Sequence, residues 1–528
     1  MAASDLSDSI GATNGYRRAA TNRAGRHSTI HQTRKRPRDG GASIVLMNAK
    51  PSPPAFTPAV ARVLATVSVA FVVTQLDVTI VNIALPSIGA QLHAPVAVLQ
   101  WIVDAYTLAF AVLMLSAGVL GDRFGARRLF VVGLALFAVA SLACGLAPNA
   151  AALVAARAAQ GVSAAAMLPN SLALLNRACS HDPGLRARAV GLWTASGSIS
   201  IAAGPVIGGL LIAAWGWRSI FLVNVPLCLI GLIASFAWMP KHEQAATAQA
   251  HQRIGVDLPG QSIAIVALTA FTGAVIEMRP LGAGHPLIVG ALAASAVAAI
   301  AFIAIETKSR APMVPLTLLR DATFSASVLF GVCVNMAYYG IVFVLSLYLQ
   351  RVRGDTPLQA GLAFLPLTGG FLVSNIISGW VVARYGPRRP MWIGAAIGAV
   401  GYGLLYMAQG DTPMPMLLVP FALIPAGMGL AVPAMTTAVL ASVEHKRAGT
   451  ASAILNTARQ AGGAVGVAAF GALANAGALA RERASVVSGL QISAAIATGL
   501  LLVGMILASR VHPSSHARAS ADRKPAVR

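Results

Sequence analysis

Charge is what this sequence has least of. Only 11% of its 528 residues are Asp, Glu, Lys or Arg, and acids number 17, where soluble domains carry about 25% charged residues. With 56% of the chain apolar, that scarcity excludes an ordinary water-soluble domain. Cysteine is equally thin. Cys144, Cys179, Cys228 and Cys333 stand in or beside apolar stretches without the pair spacing of a zinc site, so they read as small core residues. No GxxxxGK[ST] occurs, so nothing cradles ATP phosphates and uphill work has to run on an ion gradient. The ten histidines fall mostly in tails and loops without an HExxH pair, which argues against a membrane-embedded enzyme; neither metal nor cofactor is expected. No basic, apolar and small-residue succession follows Met1, so the first apolar stretch, from about Ala59, is expected to stay in the mature protein.

What is present is apolar sequence in long runs. About 20 helical residues cross the ~30 Å of bilayer hydrocarbon. Fourteen windows meet that length, at about 59–85, 97–120, 129–147, 151–175, 188–214, 218–239, 258–277, 286–306, 322–349, 358–383, 390–408, 416–442, 449–477 and 487–509. An even number puts both termini on one side. The loops sharing that side carry sixteen Lys and Arg: Arg123, Arg127, Arg128, Arg177, Arg186, Arg188, Lys241, Arg253, Lys308, Arg310, Arg320, Arg384, Arg388, Arg389, Lys446 and Arg447. The opposite loops carry six: Arg218, Arg279, Arg351, Arg353, Arg481 and Arg483. The bias predicts cytoplasmic termini in a cell inner membrane. The net charge of +22 therefore speaks to a lipid bilayer, not to nucleic acid. The tail 1–58 is basic and without apolar periodicity, hence expected to be disordered. Its TRKRPR run reads as a solvated tail, with contact to anionic lipid or nucleic acid as the alternatives, and Met47 is an alternative start.

Against this background GDRFGARR (121–128) puts four charges into eight residues, and ARYGPRR (383–389) nearly repeats it after the tenth window at an offset of 261. AAMLPNSLALL (165–175) is echoed by LAVPAMTTAVL (430–440) in the same way. The echoes predict two six-helix halves, 59–239 and 322–509, with an inserted helix pair and linkers over 240–321 and a cytoplasmic tail 510–528. Internal repeats around a midplane site are a common plan of secondary transporters.

The motifs resemble those of the major facilitator superfamily, in its fourteen-span drug:proton antiporter branch. LDVTIVNIALP (76–86) is similar to the first-span signature and GDRFGARR to the loop between spans two and three. RAAQG (157–161) is similar to the fourth-span Arg motif, GPVIGG (204–209) to the fifth-span antiporter motif, and WRSIFLVNVP (217–226) to the opening of span six. The resemblance covers about 59–509. It implies an all-α membrane protein of the major facilitator fold, exporting small amphipathic or hydrophobic compounds, drugs or toxic metabolites, in exchange for protons by alternating access. The alternative is a facilitator or proton symporter of the same fold importing a polar solute. The partners expected are a small-molecule substrate and protons, for a monomer with or without accessory export proteins.

Ionisable residues within spans cost several kcal/mol unless paired or hydrated, so each is a functional candidate. Asp77, Asp104 and Arg157 fall at one depth, about 10–12 Å from the outer surface, and are expected to form a coupled proton site; the resemblance implies a proton-transfer role for Arg157. A permanent Asp–Arg pair with Asp104 facing water is the simpler alternative. In the loop, Gly121, Asp122, Arg123, Gly125, Arg127 and Arg128 are expected to act as a gate, with Gly125 at the bend and Asp122 a latch whose counterpart is Ala383; a topology signal is the alternative. Gly204, Pro205, Gly208 and Gly209 of the antiporter motif, with Gly197 and Ser200, predict a tight, bendable helix contact. Asn335, Tyr338, Tyr339, Phe343 and Arg459 are substrate-binding candidates, with packing against lipid or neighbouring helices as the commoner alternative for the aromatic residues. Since spans nine to fourteen contain no acid, Arg459 has to find its partner in the first half, in backbone oxygens or in cargo. Glu277 reads as a solvated interfacial acid at a bundle edge.

Overall fold

In lipid every backbone N–H and C=O has to be satisfied within its own segment, which leaves the apolar runs of this chain little choice but helix. The computed structural model describes residues 56–239, 257–309, 314–444, 447–474 and 482–511. The basic tail with TRKRPR and Met47, the loop cations Lys241, Arg253, Arg310, Lys446 and Arg481, and the tail from 512 lie outside the described residues.

The helices are α1 (Pro58–Leu92), α2 (Val96–Phe124), α3 (Ala126–Gly145), α4 (Ala150–Ala178), α5 (Pro183–Trp215), α6 (Ser219–Leu222), α7 (Asn224–Trp238), α8 (Leu258–Leu281) and α9 (Pro286–Lys308). They continue with α10 (Ala322–Leu347), α11 (Pro357–Ala363), α12 (Leu365–Tyr385), α13 (Arg388–Leu405), α14 (Met414–Ala441), α15 (Ala448–Ala474) and α16 (Glu482–Ser509). Several start where a side chain supplies the missing acceptor: Thr57, Asn149, Asp182, Asp321 and Thr356 each accept a bond from a first-turn N–H.

Two of the expected spans are broken. The sixth divides into α6 and α7 and the tenth into α11 and α12, each just before a proline, Pro226 and Pro366, that lacks the N–H needed to continue the ladder. The first is longer than its window, because α1 runs through Pro86 to Leu92 and ends on His93 in the left-handed region (φ 50°). Taking the broken pairs as single rods, a helix among the described residues falls in each of the fourteen windows. Twelve rods are long and apolar enough to cross a membrane. The other two are α13, which opens on Arg388 and Arg389, and α15, rich in Ala and Gly and carrying Asn456, Arg459 and Gln460.

Helix α15 shows why apolarity is not demanded of every rod. From Ala451 to Gly463 none of its residues is exposed, so it lies inside the protein, whereas α9 is largely exposed along its length. Among the first six spans α1 packs on α5 and α2 on α4; among the last six α10 packs on α15 and α13 on α14. The pair α8 and α9 pack on each other, and α8 lies against α2 and α15. Glu277 of α8 is half-buried and accepts a bond from Trp101 Nε1 (3.1 Å). Near the opposite end of α8, Gln261 bonds Ser116 and, through Nε2, the Val112 carbonyl (2.8 Å), so polar groups clamp α8 to α2 at both ends.

The two sets of spans are joined mostly away from the face where α1 starts and α16 ends, called here the termini face. Gln100 Nε2 donates to the Val467 and Ala468 carbonyls (3.1 and 2.6 Å). Ser346 donates to the Asn82 carbonyl and Gln350 to that of Ile83 (3.0 Å). Gly361 lets α11 press on α5, since a Cβ there would stand 2.3 Å from the Pro205 carbonyl oxygen.

Candidate functional site

Helices α1, α2, α3, α4 and α7 converge on a buried cation. Arg157 is 1% exposed and Asp77 0%, and Arg157 Nη1 makes a short bond to Asp77 Oδ2. The remaining groups are satisfied by neutral neighbours. Arg157 Nε donates to the Ile102 carbonyl (3.0 Å) and Nη1 also to Gln160 Oε1 (2.8 Å). Asp77 Oδ1 accepts from Asn224 Nδ2 (3.0 Å) and Gln160 Nε2 (3.3 Å), and Gln160 Nε2 reaches Ser141 Oγ (2.8 Å). The Tyr106 ring covers the guanidinium, 4.4 Å from its carbon. A buried ion pair is tolerable only when its spare donors and acceptors find partners; here the Ile102 carbonyl, Gln160 and Asn224 supply them, and Ser141 in turn holds Gln160. None of the three stands out by charge, yet Gln160 and Asn224 lie inside RAAQG and WRSIFLVNVP; an amide in an apolar run was the available signal.

Asp104 does not join this network. It is fully buried and neither carboxyl oxygen has a hydrogen-bond partner. Equal depth misleads because it says nothing of azimuth: residues two apart on a helix point about 200° apart. Ile102 and Tyr106 of α2 face Arg157 on α4. Asp104 lies one turn from Gln100, which bonds α15, on the side of α2 turned toward the last six spans.

The antiporter motif and two of the aromatic candidates meet in one cavity between the two sets of spans, lined by Thr79, Asn82, Pro205, Tyr338, Tyr339 and Thr368 among others. On α5, Gly197, Gly204 and Gly208 face α1, where added Cβ atoms would strike Phe71, Thr79 and Ile80 at 2.1, 2.0 and 2.6 Å. Gly209 turns instead to the backbone of Leu358 on α11, 2.7 Å from an added Cβ. The motif is thus a two-sided crossing, with Gly361 as a third member that lay outside any quoted motif.

The other binding candidates divide. Phe343 is fully buried in the apolar core, so it lines no cavity; one face of a helix holds Tyr339 and Phe343 in line, but packing closes over the second. Tyr338 and Tyr339 stack edge-on (5.4 Å between centroids), and Tyr338 also meets Phe371 (5.2 Å). Arg459 is half-buried and its Nε donates to Asn335 Oδ1 (3.2 Å). The partner is thus a neutral amide of the last six spans, a source not foreseen for it.

In the GDRFGARR loop Gly125 has φ 98° and its counterpart Gly386 φ 74°, a region only glycine enters freely. Gly121 is there for proximity: an added Cβ would lie 1.7 Å from Asn170 Oδ1. Asp122, 78% exposed, pairs with Arg177 at the end of α4 (3.5 Å, 50% exposed). Arg127 donates to the Ser235 carbonyl (3.3 Å), and Arg123 lies over the Phe124 ring. Arg128, which opens α3 with Arg127, is exposed. These contacts stay within the first six spans.

Comparison with known proteins agrees with this architecture. The chain is 38% identical over 403 residues to the methylenomycin A resistance protein of Streptomyces coelicolor, covering 76% of this chain and 83% of that one. It is 35% identical to the tetracenomycin C resistance and export protein of Streptomyces glaucescens, covering 77% and 74%. In fold it is similar to a bacterial homolog of the human lysosomal transporter Spinster, solved inward-facing and unoccupied, with a TM-score of 0.60 at 16% identity over 87% of this chain and 98% of that one. Residues 67–467 match the family described as the Major Facilitator Superfamily; with relatives of this similarity and an all-helical fold of the same kind, the chain belongs to that family.

Proposed function

We propose that the protein is a secondary active exporter that moves small amphipathic or hydrophobic compounds out of the cell in exchange for protons, by alternating access. The observation that carries the proton half is Asp104, a carboxyl sealed inside a span with neither oxygen bonded. An ionised, unpaired carboxylate at that depth would cost several kcal/mol, so Asp104 is neutral while the seam between α2 and α15 is closed, and gives up its proton when the seam opens to water. Asp77 and Arg157 act as a structural pair that holds α1, α2, α4 and α7 together. The export half is supported by relatives named for antibiotic resistance and, in one case, export.

On this reading the bundles 59–239 and 322–509 rock about the α2–α15 and α5–α11 crossings, in the cytoplasmic membrane with both termini cytoplasmic. The bonds Gln100–Val467, Ser346–Asn82 and Gln350–Ile83 then close the outer face, and the conformation is inward-facing. The protein works as a monomer on substrate and protons.

Inverted vesicles with an acidic lumen and a lumenal pH dye test the proposal. Adding substrate is expected to release lumenal protons, and Asp104→Asn to abolish that release. Substrate flux that persists after the gradient is collapsed, and that still needs ATP, would overturn it.

A further inference from the structure

The interior of the last six spans holds a cation and no anion. Spans nine to fourteen contain no Asp or Glu, and among the described residues no carboxylate lies within salt-bridge distance of Arg459. Its one hydrogen bond uses Nε, on the Asn335 amide oxygen, which leaves the two terminal nitrogens of the guanidinium as unused donors. The Arg459 stem packs on Gly331, where an added Cβ would sit 3.0 Å from its Cγ. This places the head group beside α10, on a stretch of α15 of which no residue is exposed.

Asp77 offers no compensation, because Arg157 already neutralises it. The charge is also well placed for a ligand. Asn335 precedes Tyr338 and Tyr339 by three and four residues on α10, so the amide that holds the guanidinium stands about one turn, ~5 Å, along the helix from the tyrosines, and the Tyr339 ring reaches α15 at Gly463, 2.9 Å from an added Cβ. A body stacked on the tyrosines would present a group at that distance to two free N–H forks.

We infer that the cargo is an amphipathic organic anion, with an apolar or aromatic body on Tyr338 and Tyr339 and a carboxylate, sulfonate or phenolate held by Arg459. The inference rests on the export reading above and narrows it to a class: a bare Arg attracts an anion and repels a lipophilic cation, and charge-assisted bonds to a planar fork are the strong kind. Asn335 orients the guanidinium without neutralising it.

The test uses two xanthene dyes of similar apolar body, anionic fluorescein and cationic rhodamine 6G, and fluorescence polarisation with the purified full chain. Wild type is expected to bind fluorescein at least about tenfold more tightly than rhodamine 6G, a difference of about 1.4 kcal/mol. Arg459→Ala should erase that preference, and Arg459→Lys should keep part of it. Asn335→Asp, nearly isosteric, places a carboxylate on Arg459 and should reverse the preference, which a merely structural role for Asn335 would not do; it carries the test if Arg459→Ala fails to fold. Equal fluorescein binding by wild type and the folded variants, or tighter rhodamine binding by wild type, overturns the inference. In inverted vesicles, Arg459-dependent binding without proton-linked dye movement upholds the ligand class and overturns the export reading. Proton-linked movement of rhodamine 6G alone does the reverse.

Discussion

Arg157 and Arg459 are the same group placed within spans in two settings. Arg157 is enclosed and neutralised: an acid, a carbonyl and an amide accept from it and an aromatic face covers it. Arg459 has one neutral partner and partial access to the interior. The difference teaches where this protein is closed and where it is receptive. In the first six spans charge is spent internally to tie helices together; in the last six it is left available. Acid scarcity sets up the contrast, since Asp77 is the one carboxylate placed against a buried Arg among the described residues.

Four substitutions break or sharpen that comparison. Arg157→Ala should have the largest effect, because it strands Asp77 as an uncompensated buried charge, costing about 3–5 kcal/mol. Gradient-driven transport should stop while some substrate exchange survives. Arg157→Lys should rescue little, since an ammonium cannot replace the planar fork that reaches both Ile102 and Asp77. Thermal unfolding in detergent decides this, and a wild-type transition for Arg157→Ala would refute the enclosed-pair account.

Asn224→Ala removes one donor to Asp77 while keeping the ion pair, so the loss should be smaller, about 1–3 kcal/mol. The same unfolding assay reads it. A loss matching that of Arg157→Ala would mean the amides, not the ion pair, hold the network.

Asp104→Asn exchanges one neutral buried group for another on the proposed reading, so stability should move by under about 1 kcal/mol. Coupling should fail nonetheless: the pH dependence of transport flattens and substrate no longer releases lumenal protons. An unaltered pH profile would remove Asp104 from the proton path and turn attention to Glu277.

Asp122→Asn should perturb the fold least, because an exposed pair such as Asp122–Arg177 contributes little. Transport should slow severalfold with equilibrium substrate binding unchanged, as expected of a group that biases conformations instead of touching cargo. If Asp122→Asn transports normally and Ala383→Asp changes nothing, the loop serves orientation alone.

Much of the site was readable one residue at a time and little of it as an assembly. The in-span charge rule singled out Asp77, Asp104, Arg157 and Arg459 without structure. It passed over Gln160, Asn224 and Ser141, because a rule that counts charges does not register a neutral amide or hydroxyl, even where it stands out in an apolar run. Gly361 was invisible for a related reason: a glycine's role is set by what approaches it, here the Pro205 carbonyl 156 residues earlier in the chain.

By itself the sequence determined the helical windows, the all-α architecture and the glycine bend at Gly125, because run length, backbone satisfaction in lipid and positive φ are local properties. Only the tertiary structure decided that Arg157 chooses Asp77 over Asp104, that Phe343 is core while Tyr338 and Tyr339 line a cavity, and that α15 spans the interior despite its modest apolarity. The reason is geometric. A helix fixes depth and angle about its own axis, but which neighbour stands at that angle depends on how distant segments pack.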